Sequence, residues 1–251
     1  MTKRLENKTA VITGGTTGLG FETAKRYLEE GAQVLITGRT QDKVDKAVAE
    51  LGEGAHGIAS DASNVADIEK LAQKAAGLFN GKVDILFANA GNGVFSPIHE
   101  VDEDAYAHQF DLNVKGVFFT VQKFLPLLEQ GSSIIMTASA VNGKGAPGGS
   151  LYFASKAAVR SFARSMAAEL GPQGIRVNTL SPGIVPTHFF ANSNVGEDAY
   201  GGFAEMVVAS APLGREGTPL DMANGAVYLG SDESSYMTAA DHVVDGGWMN
   251  V

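Results

Sequence analysis

"AVITGGTTGLGFETAKRYLEEGA", residues 10–32, passes from a β-branched apolar run into a glycine-rich turn and then into a segment with helical spacing. Glycines at 14, 15, 18 and 20 permit positive φ and close backbone approach. The helix that follows offers unpaired N–H groups and the positive end of its dipole to an anion. Strand, glycine turn and helix together make phosphate-binding geometry. The plainer reading is a loop that only turns the chain. The spacing is T-G-x-x-x-G-x-G, not the usual dinucleotide fingerprint G-x-G-x-x-G.

Outward from this stretch the same alternation repeats. Apolar runs at 9–13, 33–37, 56–60, 83–88, 132–138, 175–180 and 241–246 read as buried strands. Segments at 19–30, 41–51, 64–79, 103–129, 152–170 and 219–230 carry helical spacing. Such alternation implies right-handed βαβ units and an α/β, doubly wound, seven-stranded parallel sheet of Rossmann type. Thr218-Pro219 places a capping hydroxyl before a first-turn proline, and Gly31 and Gly171 follow the ends of helical patterns. No linker, repeat or charge block divides residues 1–251, which predicts one domain. The least regular stretch, 183–215, is expected to be irregular and to act as a substrate-binding lid near 184–215.

Composition narrows the functions. The chain has 251 residues, 44% of them hydrophobic, with a net charge of -9 and a pI near 5.0. Phosphate-backbone binding needs clustered positive charge, so a general nucleic-acid surface is not expected. There are no cysteines, which excludes disulfides, thiolate metal sites and cysteine nucleophiles. Histidines at 56, 99, 108, 188 and 242 show no metal spacing, so no metal is expected. The N-terminus "MTKRLENKTAVITGG" reaches glycine before a signal-peptide core forms, and no apolar run is long enough to span a bilayer. The expected location is cytoplasmic.

A second pattern lies downstream. Tyr152 and Lys156, in "SLYFASKAAVRSF", are four apart and share a helix face. An ammonium beside a phenol favours the phenolate and makes a tuned proton donor. Read alone, the pair is equally a surface i,i+4 contact. Ser139 ends a strand, where its hydroxyl points into the ligand crevice of a parallel sheet. Asn113 lies within a helical pattern where asparagine has little local advantage.

These motifs, in this order, resemble the short-chain dehydrogenase/reductase family across nearly the whole chain. "TGGTTGLG" resembles its cofactor loop, "ANAG" at 88–91 its post-strand motif with Ala88 for the first asparagine, and Tyr152/Lys156 its Y-x-x-x-K pair. The resemblance implies catalytic roles for Asn113, Ser139, Tyr152 and Lys156. Tyr152 exchanges the proton, Ser139 holds the substrate oxygen, Lys156 lowers the tyrosine pKa and binds the nicotinamide ribose, and Asn113 holds a relay water. Cofactor contacts are implied at Gly14, Thr16, Gly18, Leu19 and Gly20, at Asp61 and Ala62, at Asn89, Ala90 and Gly91, and at Pro182, Gly183, Val185 and Thr187, beside Tyr152 and Lys156. Asp61 has a second reading, as an N-cap of the helix near Asn64.

At the end of the second strand Gly38 stands where NAD-preferring relatives carry an acid, and Arg39 follows, suited to a 2′-phosphate. NADP(H) is therefore favoured over NAD(H), against the alternative that Arg39 is only solvated. Val141, His188, Phe189, Tyr200 and Phe203 are the expected substrate contacts, with Phe95, Phe190 and Met206 also able to line an apolar pocket. The implied activity is hydride transfer between NADP(H) and a ketone or secondary alcohol. The alternatives are a 3-oxoacyl-carrier-protein reductase and a non-catalytic NADP(H)-binding regulator. The small-molecule ketone or alcohol is the expected partner, and the family resemblance implies a homotetramer.

Overall fold

The computed structural model describes residues 3–187, 189, 193 and 197–251, without the side chains of 197–199. Seven strands form one sheet: β1 (Thr9–Ile12), β2 (Gln33–Gly38), β3 (Ala55–Ala59), β4 (Ile85–Ala88), β5 (Ser133–Thr137), β6 (Arg176–Pro182) and β7 (Asp241–Val244). Their order is β3-β2-β1-β4-β5-β6-β7, and every neighbouring pair is parallel. The order reverses between β1 and β4, so the carboxyl ends of these two strands open the crevice in which such sheets bind ligands.

Successive strand residues face opposite sides of the sheet, and both sides are covered. Val11, Leu35, Leu86, Ile134 and Val177 pack on one side, with residues of α3 (Val65–Leu78), α5 (Val117–Phe124) and α6 (Ser150–Leu170). Ile12, Val34, Ile36, Phe87 and Ile135 pack on the other, with α1 (Gly18–Glu29) and α8 (Pro219–Gly230). Each fully buried Leu, Ile or Phe here contributes about 1.5–3 kcal/mol. The ends of the strands are thereby fixed, and with them the loops that carry the site.

Helix ends follow local chemistry. Gly31 takes φ 92°, and the bonds from Ala32 N to Tyr27 O and from Gly31 N to Leu28 O complete a Schellman motif after α1. Thr218 and Asp221 form a reciprocal capping box before α8. Gly171 differs from its expectation: it is right-handed, α6 runs on into a 3-10 turn at Gly171–Gln173, and Gly174 at φ 75° terminates it.

Two expected elements change. The helical pattern at 103–129 is α4 (Glu103–Phe110), a π-helical turn at Asp111–Gly116, α5, and a 3-10 turn at Leu125–Leu127. The Cα of Gly116 lies against Ala62, where an added Cβ would stand 2.1 Å from the carbonyl oxygen. The wider turn allows Asn113 and Gly116 both to be buried, and Pro126, lacking an N–H, ends regular helix beyond α5. The 183–215 stretch is not wholly irregular: it contains α7 (Glu197–Ser210) after α6. Gly201 and Gly202 lower its helix propensity and masked it in the sequence, whereas Ala204 and Val207 bury against Ile184 and Trp248 and hold it as helix. At the β3 edge of the sheet, α2 (Gln41–Leu51) packs on β3 and β2.

Candidate active site

The glycine turn leaves β1 with Gly14 at φ 66° and Gly18 at φ 57°. Gly15 N donates to Thr37 O at 2.8 Å and Gly14 N to Thr37 Oγ1 at 3.3 Å, which pins the turn to β2. At Gly20 a Cβ would lie 2.3 Å from Gly14 O, so the first turn of α1 folds against the loop only with glycine there. Thr16 packs against Gly38 and Leu19 against the core, while Gly18 faces Thr187, whose Cβ is 3.5 Å from the position a glycine Cβ would take. The glycine loop and the segment after Pro182 are thus the two lips of one groove, floored by helix N–H groups suited to phosphate. The residues present fit a dinucleotide.

Asn89 braces the strand ends. Its Nδ2 donates to Thr13 O at 3.1 Å and Gly14 O at 3.3 Å, and its Oδ1 accepts from Thr137 Oγ1 at 3.1 Å. The side chain ties the ends of β1, β4 and β5 together. Ala90 N donates to Thr13 Oγ1, and Gly91 faces the cleft, with Asn113 Oδ1 and Lys156 Nζ 3.2 and 3.4 Å from where its Cβ would stand. The Ala88 departure leaves this brace intact, since Ala88 is buried in the sheet.

Tyr152 and Lys156 lie in the first two turns of α6, and Ser139 in the loop after β5. Lys156 is 3% exposed, and its Nζ donates to Thr137 O at 2.8 Å and lies 5.7 Å from the Tyr152 ring centroid. Burial lowers its pKa from 10.5 to about 8. The Tyr152 phenol is pushed up from 10.0 to about 12 by burial, opposed by its hydrogen bond with Ser139. The expected lowering of Tyr152 by Lys156 is absent here: with the ammonium turned to Thr137 O, desolvation dominates both groups. Asn113 is fully buried, and its amide is bonded to Asn92 and to Ser155 rather than standing open.

Behind Ser139, Asn142 Nδ2 donates to Ser181 Oγ at 3.1 Å and to Asp241 Oδ2 at 2.8 Å, fastening the loop to β6 and β7. Gly183 N donates to Val244 O, and a Cβ there would meet Asp245 Cα at 2.7 Å. Pro182 O accepts from Ala140 N, while Val185 is buried in the core.

The expected substrate residues divide. Phe189 lies with its ring 5.5 Å from that of Tyr152, Phe95 with its ring at 5.2 Å, and Val141 is buried two residues beyond Ser139. Tyr200 and Phe203 pack instead with Ile184, Val207 and Trp248, and Tyr200 OH donates to Glu216. His188, Phe190 and part of the expected lid lie outside the described residues. Among the described residues no group of three His, Cys, Asp or Glu can hold a metal, and no helix is long and apolar enough to cross a membrane.

Arg39 is exposed at the end of β2 and makes no ion pair among the described residues. Gly38 packs on Thr16: a Cβ there would be 2.5 Å from Thr16 Cγ2, so a larger side chain at this position requires the Thr16 side chain to shift. Asp61 accepts from Ser63 N and Ser63 Oγ in a local turn, and Asn64, not Asp61, caps α3 through Ala66 N. Ala62 supplies the carbonyl against Gly116. The sequence reading passed over Thr137, Asn92, Gln109, Ser155 and Asn142. Gln109 had a signal, being four residues before Asn113 in one helical pattern.

Fold, glycine loop and the Ser139/Tyr152/Lys156/Asn113 grouping define a nicotinamide-dependent oxidoreductase, and the comparisons agree. A family model described as enoyl-(acyl carrier protein) reductase matches residues 14–249, and the chain belongs to the short-chain dehydrogenase/reductase family. It is 44% identical over 247 residues to oxidoreductase asL5 of Sarocladium schorii, covering 98% of this chain and 97% of that protein. It is 36% identical to the NADP-dependent (R)-specific alcohol dehydrogenase of Lentilactobacillus kefiri, covering 99% of each. The solved structure of a 3-ketoacyl-(acyl-carrier-protein) reductase from Brucella melitensis complexed with NADH superposes with TM-score 0.88 at 32% identity, covering 98% of this chain and 99% of that one.

Proposed function

We propose that the protein transfers hydride between NADP(H) and a ketone or secondary alcohol, with Tyr152 as the proton donor and acceptor. The observation that carries this reading is a phenol held neutral by burial, hydrogen-bonded to Ser139, with the buried Lys156 one helical turn away. A bound reduced nicotinamide supplies the hydride. The glycine loop and Thr187 would hold the dinucleotide, and Arg39 would pair with a 2′-phosphate. Ser139 orients the carbonyl oxygen, and Tyr152 gives that oxygen its proton as charge develops there. Phe95 and Phe189 flank Tyr152 and exclude water, which favours a substrate with an apolar substituent. Because burial pushes the phenol up to about 12, the acid needed for reduction is in place throughout neutral pH.

A carrier-protein substrate would call for a basic rim, whereas Arg215, at the end of the lid stretch, is committed to Asp221. Assembly through the α5 and α6 face, where Phe118 is exposed beside Phe162, is part of the same proposal. The test follows NADPH and NADH oxidation over a panel of ketones for wild type and Tyr152→Phe. Wild type is expected to oxidise NADPH and the variant to lose about 10²-fold or more. Cofactor binding without turnover of any ketone overturns the assignment in favour of a regulator.

A further inference from the structure

We propose that Gln109 is a positioning residue for this reaction: its side-chain amide holds the 92–95 loop that walls the active site. The proposal rests on the reductase reading above. Gln109 lies in the last turn of α4 and Asn113 in the π-helical turn that follows, and the two amides converge on Asn92. It is fully buried and engaged at both ends. Its Oε1 accepts from Val94 N at 2.6 Å, and its Nε2 donates to Asn92 O at 3.0 Å. Asn113 brackets the same residue, with Asn92 N donating to its Oδ1 at 3.0 Å and its Nδ2 donating to Asn92 O at 2.8 Å.

The strand β4 ends at Ala88, so the loop beyond it has no sheet neighbour to satisfy its backbone. The two amides do the work of that neighbour. A primary amide offers one acceptor and one donor in a single plane to the N–H and C=O of alternate residues, without a buried charge at any pH. The loop they hold is in contact with the catalytic ring's surroundings: a Cβ on Gly93 would stand 2.5 Å from Phe95 Cε2 and 2.8 Å from Phe189 Cζ. Phe95 and Phe189 are the rings packed on Tyr152. A displaced loop therefore moves the walls around Tyr152 and the acceptor of Asn113 together.

The test compares Gln109→Met, which keeps length and removes both hydrogen bonds, with Gln109→Glu. The control is Ser133→Ala, which removes a buried 2.8 Å bond to Leu229 O at the far end of β5. Backbone hydrogen exchange at 92–95, NADPH affinity and kcat for a ketone that wild type reduces are measured on each. Gln109→Met is expected to exchange about tenfold faster at 92–95 and to lose about ten- to a hundredfold in kcat with NADPH affinity kept; Ser133→Ala is expected to lose thermal stability alone. A protonated glutamic acid also offers one donor and one acceptor, so Gln109→Glu should approach wild-type kcat as pH falls and lose it as the carboxyl ionises.

His108, whose ring nitrogen meets Asn92 Nδ2, and Tyr152 and Lys156 are the other ionisable side chains near the loop; the ratio to wild type at each pH removes their shared contribution. Unchanged exchange at 92–95, a wild-type kcat in Gln109→Met, or a flat Gln109→Glu ratio overturns the proposal. Wild type without ketone turnover defeats the reductase reading instead, and the exchange result, which needs no turnover, still decides whether Gln109 holds the loop.

Discussion

Replacing Lys156 by methionine is expected to abolish turnover and yet make the protein more stable at neutral pH. Lys156 is 3% exposed, and burial brings its pKa from 10.5 to about 8. At 1.36 kcal/mol per pH unit that difference is a destabilisation of about 3 kcal/mol. Methionine fills most of the same space without the charge. It loses the 2.8 Å bond to Thr137 O, at a cost of about 1–2 kcal/mol with the carbonyl left unpaired. The net gain is about 1–2 kcal/mol, a few degrees in Tm for a chain of this size. The sign depends on pH in a defined way. A lowered lysine pKa destabilises fully below the folded value of about 8, and the effect is relieved as pH rises to the unfolded value of 10.5. Above that only the lost hydrogen bond remains, so the variant becomes the less stable of the two. Urea unfolding of both proteins from pH 7 to 11 tests this. A variant less stable at pH 7, or a difference that does not shrink between pH 8 and 10.5, refutes the reasoning.

Arg39→Ala is expected to raise the KM for NADPH about tenfold or more while leaving NADH little changed, since a charged hydrogen bond to phosphate contributes about 1.5–3 kcal/mol; steady-state kinetics with both cofactors measure the ratio. Thr218→Ala breaks the capping box of α8 and is expected to cost about 1 kcal/mol and lower Tm by about 2–4 °C in calorimetry. Arg215 and the Thr218 backbone hold Asp221 down from 3.8 to about 2. Its stabilising contribution is therefore complete above about pH 4 and lost as pH falls through 2, so the acid unfolding of Asp221→Asn should be flatter than wild type across that window.

The parallel sheet was legible because buried strands leave continuous apolar runs, and the glycine turn because Gly14 and Gly18 do need left-handed φ. Tyr152 and Lys156 were legible because helix periodicity alone places them on one face. The break in the 103–129 helix was not, since Gly116 and Asn113 are explained by a carbonyl from the β3 side and a loop after β4, neither of them local in sequence. The helix α7 hid behind Gly201 and Gly202, whose low propensity is outweighed by packing on Ile184 and Trp248.

The sequence by itself determined the sheet, its crossovers and the chemistry on offer, because those follow from periodicity, backbone freedom and side-chain type. Only tertiary structure decided that Asn89 braces the ends of three strands, that Phe189 faces Tyr152 while Phe203 turns to Trp248, and that Lys156 donates a hydrogen bond to a strand carbonyl. Those outcomes depend on which distant polar and apolar groups the fold brings within bonding distance and on how completely it removes them from water.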